Sequence, residues 1–379
     1  MSAVDLVVIG AGVVGAAIAR AASRAGLSVV LCDKGDLGGA VSGASLACVG
    51  THMIDRDEVP LLIHSAARWA ELEAETGCAI EYHRCGQLRF VLDPADLPVA
   101  RAWIDHERGF GLERALLEPA EVRAIEPRLE GPILAATWSP ESAVVNPFLA
   151  VRALARDAAR HGATILPRTP VEAIEVTGER VTGVRTPAGP VAAGAVVLAA
   201  GPWTTDLARP LGVDLPIAAR KAQCLATTRL PPGTIRTVVG ACEAAAGVQA
   251  GYTQIQQAAS GQVLFNTVLA GAAMRPGTPD RPAPVDPAFV DDSVAMLRHL
   301  FPSLANAALL RSWVGYESVC PDDRFAIGRI GPDGLVVAAG CSGTGFTRAP
   351  AIGEIVTGLL TGEASPLDRS LYDPARLAA

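Results

Sequence analysis

The sequence predicts an α/β protein built of two discontinuous parts. One is a Rossmann-like nucleotide-binding domain carrying a β-meander; the other is an α+β domain with a mainly antiparallel sheet. Three observations predict this. A strand, a glycine turn, a helix and a second strand closed by an acid fill residues 4–33. A helix, a strand, an antiparallel meander, a strand and a glycine follow in order between residues 147 and 203. A second glycine-rich loop feeds a helix within residues 340–360.

Val4 to Ile9 is a short apolar run rich in β-branched residues, the pattern of a strand buried on both faces. Gly10, Gly12 and Gly15 follow at Gly-x-Gly-x-x-Gly spacing. Gly10 permits a tight turn, Gly12 lets backbone approach a pyrophosphate, and Gly15 lets helix and strand pack closely. Val14, Ile18, Ala21, Ala22 and Ala25 recur at helical spacing, and Gly26 can end the helix. The start of that helix is expected to offer unpaired N–H groups to phosphate, with Val13 and Val14 counted with the site. Leu27 to Cys32 makes the second strand, closed by Asp33, which is placed to accept hydrogen bonds from an adenosine ribose. Lys34, beside it, is counted with the site.

Composition narrows the class. In a chain of 379 residues, half of them hydrophobic, a net charge of −7 and the lack of any basic run argue against nucleic acid or an anionic membrane as partner. Length suggests about two domains. The glycine motif starts too early for a signal peptide, and the apolar run 195–200 is too short to span a bilayer, so no membrane insertion and a cytoplasmic location are expected. Eight scattered cysteines include no Cys-x-x-Cys pair, which supports no metal site and reduced thiols. Cys48 and Cys341 stand apart because both fall in glycine-rich loops.

Residues 35–50 hold five glycines and two serines and read as a loop lying against a ligand, with Ser42, Gly43, Ser45 and Leu46 counted with the site. Ser42 is a candidate helix cap or phosphate contact. Val59 to Thr76 is an amphipathic helix with Leu62, Ala66, Trp69 and Leu72 on one face. From Ala79 the texture changes. Strands are expected at Ile80–His83, Gln87–Leu92 and Ile133–Trp138, and helices at Pro94–Phe110 and Pro119–Ile125. Pro147 opens another helix at its favoured first position.

Ala163–Leu166 reads as a third strand of the nucleotide sheet, and Val171–Val176 with Arg180–Thr186 as the meander, Val171 counted with the site. Ala195–Ala200 is a buried strand that delivers Gly201-Pro202-Trp203; Ala200, Gly201 and Trp203 join the site. Nicotinamide enzymes usually continue in plain βα repeats, whereas an inserted meander is typical of FAD-binding folds, an argument from fold analogy. Strands are expected at Gln223–Thr228, Gln249–Gln254 and Gln262–Thr267, a long exposed loop at Leu269–Pro287, and a helix at Asp291–Leu300. Gly334–Ala339 then returns as a strand, and the loop with Gly343, Thr344, Gly345, Phe346 and Thr347 feeds a helix at Ala351–Leu360. A helix N-terminus there would favour the negative charge of a reduced flavin. The expected division is 1–78, 145–220 and 310–379 for the FAD-binding domain, and 79–144 and 221–309 for the substrate-binding domain.

These residues resemble the FAD-dependent D-amino-acid oxidase superfamily, in its glycine oxidase and sarcosine oxidase branch. Within it the chain is similar to the catalytic β subunits of bacterial multi-subunit dehydrogenases for opines, D-hydroxyproline and proline, and of hydrogen cyanide synthase. The resemblance covers nearly the whole chain. It rests on the N-terminal motif, Ser42-Gly43-Ala44-Ser45, Ala199-Ala200-Gly201-Pro202-Trp203, Pro321-Asp322-Asp323 with Ile327-Gly328, and the segment from Ser342 to Glu354. That last segment is similar to the loop that wraps the flavin's pyrimidine edge in those subunits. The resemblance implies non-covalent FAD and oxidation of the C–N bond of an amino acid, imino acid, opine or related amine by hydride transfer to the flavin. It also implies other dehydrogenase subunits that take the electrons, with the segment 269–287 either part of that contact or merely exposed.

The chain departs from the pattern at four places. Asp33 stands where Glu is usual. Gly315-Tyr316-Glu317-Ser318 matches a Gly-x-Arg-Pro segment whose arginine clamps a substrate carboxylate, so an acceptor replaces a bidentate donor. Phe325-Ala326 replaces a proline-containing run, and Cys341 stands where His is common. His52, Tyr252, Gln254, Tyr316 and Glu317 are the candidates to face the substrate, each with a structural role as the alternative. For Glu317 that alternative is an ion pair with Arg311 or Arg324. An electron-relay flavoprotein and a self-sufficient, peroxide-forming amine oxidase are the alternative functions; a nicotinamide dehydrogenase is favoured only by Asp33.

Overall fold

The structure is a computed structural model that describes residues 3–242, 251–269, 277, 279–281, 283–363 and 367–377. Its first sheet runs in the order Thr164–Leu166, Val29–Cys32, Val4–Ile9, Gly189–Leu198, Leu335–Ala339 and Ala326–Arg329. All neighbours are parallel except the last pair. Side-chain alternation gives each face its own core. Leu6, Val8, Leu31 and Val336 pack under the first helix (Val13–Arg24) and the closing helix (Gly345–Thr361). Val7, Ile9, Val30 and Val337 turn to the other face, against the meander.

The meander differs from expectation in one respect. Its third strand and the buried strand of the nucleotide sheet are one continuous strand, Gly189–Leu198, paired antiparallel with Arg180–Thr186 at its start and parallel with Val4–Ile9 further along. The closing helix likewise starts at Gly345, earlier than the apolar run suggests, and carries Pro350 inside it. The glycine-rich loop after the second strand contains a short helix, Val41–Ala44.

The second sheet runs Leu309–Val319, Ala218–Arg229, Gln262–Val268, Tyr252–Gln257, Val238–Ala241, Gln87–Val91, Ala135–Ser139 and Ala115–Leu117. Its pairings are antiparallel apart from Val238–Ala241 with Gln87–Val91. One face carries Leu88, Phe90, Val239, Ile255, Phe265 and Leu225, packed with Phe289, Leu297 and Leu300 of the helix Pro287–Leu300. The other face is polar and turns towards the first sheet.

Three of these strands were not expected: Ala115–Leu117, a short run between two helices, and two others. Val238–Ala241 is too short to show a period, and Leu309–Val319 mixes charged, small and aromatic residues. Register holds the latter in place, running from Ala218 opposite Val319 to Ala226 opposite Arg311. The expected domain changeovers at 220/221 and 309/310 therefore fall inside these paired strands. The strand expected at Gln249–Gln254 is Tyr252–Gln257; residues 249 and 250 lie outside the described residues. Of Ile80–His83 only His83 is in a strand, the pair His83–Arg84, which joins Ala143–Val144 and Cys48–Val49 in a small third sheet. Of the segment 269–287, residues 270–276, 278 and 282 lie outside the described residues.

The first and closing helices cross at Gly353, where an added Cβ would stand 2.6 Å from the Ala17 carbonyl oxygen. Gly353→Val is therefore expected to force the two helices apart and cost about 1–3 kcal/mol, the scale of overpacking. Urea unfolding checks this: the midpoint should fall with little change in slope.

Candidate functional site

The polar face of the second sheet and the glycine loops of the first enclose a cavity of about 830 Å³. That is near the upper end for small-molecule sites, roughly 300–1,000 Å³. Gly10, Gly12, Val13, Val14, Asp33, Lys34, Ser42, Ser45, Leu46, Val171, Ala200, Gly201 and Trp203 line it, together with Gly343 to Thr347. Gly15 and Gly43 do not. Gly15 lets the first helix sit on the turn, since a Cβ there would fall 1.8 Å from the Gly10 carbonyl oxygen. A Cβ on Gly43 would fall 2.4 Å from the Gly38 oxygen, so this glycine keeps the second loop folded on itself.

The turn is held from two sides. Asp33 accepts the Ala11 N–H at 2.6 Å and the Gly35 N–H at 2.7 Å. Ser42 is a cap, though for a distant helix: its Oγ accepts the Val13 N–H at 2.9 Å. Gly12 stays bare against it, its absent Cβ only 3.0 Å from that oxygen. The second sheet grips the same loop, with Gln256 donating to the Leu46 carbonyl at 2.7 Å and Trp313 to the Ala44 carbonyl at 3.0 Å.

At the far end the closing helix begins at Gly345 with no side-chain cap on Thr344. Trp69 fixes this terminus by donating to the Phe346 carbonyl at 2.7 Å. Ser342 and Gly343 take φ of 46° and 86°, the left-handed region that a serine enters only under constraint. At the mouth, Asp280 accepts from Lys34 at 2.7 Å and from Trp203 at 2.9 Å, while the Lys34 ammonium lies 3.8 Å over the Trp203 ring. The hydrogen bond from Lys34 holds the Asp280 carboxyl below its usual range.

The substrate candidates divide. Tyr252, Gln254, Tyr316 and Glu317 line the cavity. Burial pushes the Tyr252 phenol well above its ordinary pKa, so it stays neutral. Tyr316 donates to the Arg281 carbonyl at 3.0 Å. Glu317 pairs with neither expected arginine. It lies directly opposite Arg220, which donates to its Oε2 through two nitrogens at 2.6 and 2.9 Å. Arg311 lies over Trp313 instead, and Arg324 binds Asp55 and Asp57.

His52 is not in the cavity wall. It is wholly buried, with Nδ1 2.7 Å from Glu107 and Nε2 2.6 Å from Thr137. Burial keeps its pKa below the ordinary value despite that carboxylate. The ring is held in the interior by these two bonds, and the chain turns at the next residue, Met53, with φ 53°.

Several wall residues escaped the sequence reading: Gln87 and Arg89, Arg220, and Asn266. One signal was present. Gln87-Leu88-Arg89-Phe90 alternates polar and apolar residues, which places Gln87 and Arg89 together on the face away from the core.

Comparison with known proteins follows the same lines. The family described as FAD dependent oxidoreductase matches residues 5–359. The chain is 31% identical over 391 residues to monomeric sarcosine oxidase of Streptomyces avermitilis, covering 99% of this chain and 98% of that one. It is 26% identical over 364 residues to glycine oxidase of Bacillus subtilis, covering 94% and 92%. Among solved structures, L-proline dehydrogenase from P. horikoshii superposes with a TM-score of 0.90 at 28% identity, over 99% of this chain and 97% of that one. Among the described residues no helix is long and apolar enough to cross a membrane.

Gly12→Val is expected to abolish FAD binding, because the added side chain would fill the gap beside Ser42 that a pyrophosphate needs. The purified variant should lack the flavin absorbance while keeping its circular dichroism; retained flavin would show that the turn does not approach the phosphates.

Proposed function

This chain belongs to the FAD-dependent oxidoreductase family, and from that premise we propose that it oxidises the C–N bond of an amino acid, imino acid, opine or related amine as the catalytic β subunit of a multi-subunit dehydrogenase. The observation that carries the reaction class is one continuous cavity joining the glycine turn at Gly10–Gly12, the closing loop at Gly343–Thr347 and the polar wall with Tyr252, Gln254 and Glu317. The resemblance of the Ser342–Glu354 segment to the corresponding loop of such β subunits supports the subunit role.

Asp33 would hold the adenosine ribose, and the Gly10–Val14 turn the pyrophosphate. The closing helix N-terminus would face the flavin's pyrimidine edge, its positive end favouring negative charge there. FAD supplies a two-electron acceptor for hydride from the carbon beside an amine nitrogen, leaving an imine for water to hydrolyse. The chain's own part is positioning: the second sheet covers the cavity and excludes water, and its polar face orients the amine. No strong base is needed, which suits a wall in which burial keeps Tyr252 neutral. Cytoplasmic location belongs to the same proposal. In the described part of segment 269–287, Asp280 and the Arg281 carbonyl bond Lys34, Trp203 and Tyr316 at the cavity mouth.

The departures at Glu317 and Cys341 favour a second reading, a flavoprotein that relays electrons without oxidising substrate itself. Anaerobic mixing with candidate amines separates the two: bleaching of the flavin supports the enzyme, and no bleaching by any amine supports the relay. We expect slow reoxidation by oxygen and faster turnover with an artificial dye. Rapid stoichiometric hydrogen peroxide from the isolated chain would make it a self-sufficient oxidase.

Glu317 has its own test. Its side chain is 22% exposed and that of Arg220 11%, so losing the pair should cost about 1–3 kcal/mol, between the exposed and buried limits. If Glu317 also meets a cationic substrate group, Glu317→Gln raises KM at unchanged flavin content. A lowered melting point with unchanged KM assigns it to the Arg220 pair alone.

A further inference from the structure

The cavity wall contains two arginines, Arg220 and Arg89. Arg220 is neutralised by Glu317, with Asp323 a further 3.8 Å away from its other nitrogen. Arg89 is not neutralised in this way. Its hydrogen bonds run to two uncharged carbonyls, those of Ala241 and His52, both at 3.2 Å. Its Nε is sealed from solvent and has no hydrogen-bond partner among the described residues. The carboxylate whose field it feels, Glu107, is already taken up by His52, the Met53 N–H and Arg114. Cys48, next to it in the wall, cannot supply the charge, since burial pushes its thiol up to about 12.

A sequestered guanidinium with an unused donor is costly unless an anion reaches it. The neighbouring strand leaves room for one. Gly240 lies between Arg89 and Gln254 in the cross-strand register, opposite both. A Cβ at Gly240 would stand 3.8 Å from the Arg89 Nη1 and 3.7 Å from the Gln87 Nε2. The missing side chain leaves a shallow recess, closed on one side by the Thr253 carbonyl oxygen, which a Cβ would meet at 3.0 Å, and flanked by Arg89, Gln87 and Gln254, all facing the cavity.

We propose that this recess is a carboxylate site, with Arg89 as the anchor and Gln87 as a second donor, and that it fixes one end of a carboxylate-bearing substrate. A guanidinium offers a planar pair of donors to a carboxylate, and the two carbonyls that hold Arg89 pre-set its plane. Arg89 and Glu317 are separated along the wall by the strands 238–241, 252–257, 262–268 and 218–229, each step adding about 4.8 Å. A small substrate held by Arg89 is therefore out of reach of Glu317, and the anchor at Arg89 selects acids over simple amines. The inference rests on the amine-oxidising reading for the rest of the substrate, but the carboxylate site does not require turnover.

The test uses the FAD-loaded protein, with acetate as probe and acetamide as its uncharged counterpart, read by the shift each causes in the flavin absorbance. Acetate should give a saturable shift and acetamide none. Arg89→Met, at equal flavin content, should weaken acetate by at least about ten-fold, the scale of a lost charge-assisted contact. Arg89→Lys keeps the charge without the fork and should fall between; it decides the matter should Arg89→Met fail to load flavin. Acetate binding unchanged in both variants, or no acetate response in the unaltered protein, overturns the proposal. Acetate binding that depends on Arg89 in a protein bleached by no amine would keep this site and retire the amine-oxidising reading. Amine bleaching with acetate binding indifferent to Arg89 would do the reverse.

Discussion

The molecule depends on the close packing of backbone at three glycines, Gly10, Gly12 and Gly15. At Gly15 the first helix sits so close to the turn that an added carbon would fall 1.8 Å from the Gly10 carbonyl oxygen, and at Gly10 an added carbon would fall 2.4 Å from the Ala199 carbonyl oxygen. That approach leaves the helix N-terminus open, and the rest of the first sheet is arranged to keep it in place. Asp33 pins the turn from the second strand, Ser42 closes it from the following loop, and Gly353 lets the closing helix lie against the first. These contacts converge on backbone atoms of the turn. A rigid polar socket is what a charged, extended cofactor requires.

The second sheet answers that socket with a wall of side chains. Its apolar face is sealed by the helix Pro287–Leu300, while Gln87, Arg89, Tyr252, Gln254 and Asn266 face the cavity on the other side. The wall is also tied directly to the cofactor loop through Gln256 and Trp313, which bind carbonyls at Leu46 and Ala44. Any shift of the wall therefore moves the loop, and the covering of the cavity is coupled to the shape of the socket. The charges on the wall are unequal in kind. The pair of Arg220 with Glu317 is internally balanced, while Arg89 keeps an unmatched positive charge.

Legibility followed sequence distance. The glycine turn, Asp33 and the closing loop were readable because each is a local motif whose chemistry lies within a few residues. The helix at Val59–Thr76 was readable because its apolar face repeats at helical spacing. The partner of Glu317 was not, since Arg220 meets it only through strand register, and Arg311 and Arg324 were nearer in the chain. The strand Leu309–Val319 was hidden for a related reason. It faces the cavity and solvent rather than a core, so it carries no apolar alternation. Arg89 could have been found from the alternation in Gln87–Val91, but alternation alone does not say which face meets a ligand.

His52 shows how a residue can matter to a site without facing it. Its ring is the part that sequence reasoning notices, yet the ring is locked in the interior between Glu107 and Thr137. The same glutamate accepts the Met53 N–H at 2.7 Å and binds Arg114, which also donates to Thr51 at 2.8 Å. These bonds fix the peptide units on both sides of His52 and hold Met53 in its left-handed conformation. The His52 carbonyl in turn receives one arm of Arg89, which does line the cavity. A buried charge network is a weak source of net stability, but it is a good source of a single geometry. Here the geometry it selects is the direction of one carbonyl, and through it the plane of the one guanidinium in the wall, among the described residues, that no carboxylate neutralises.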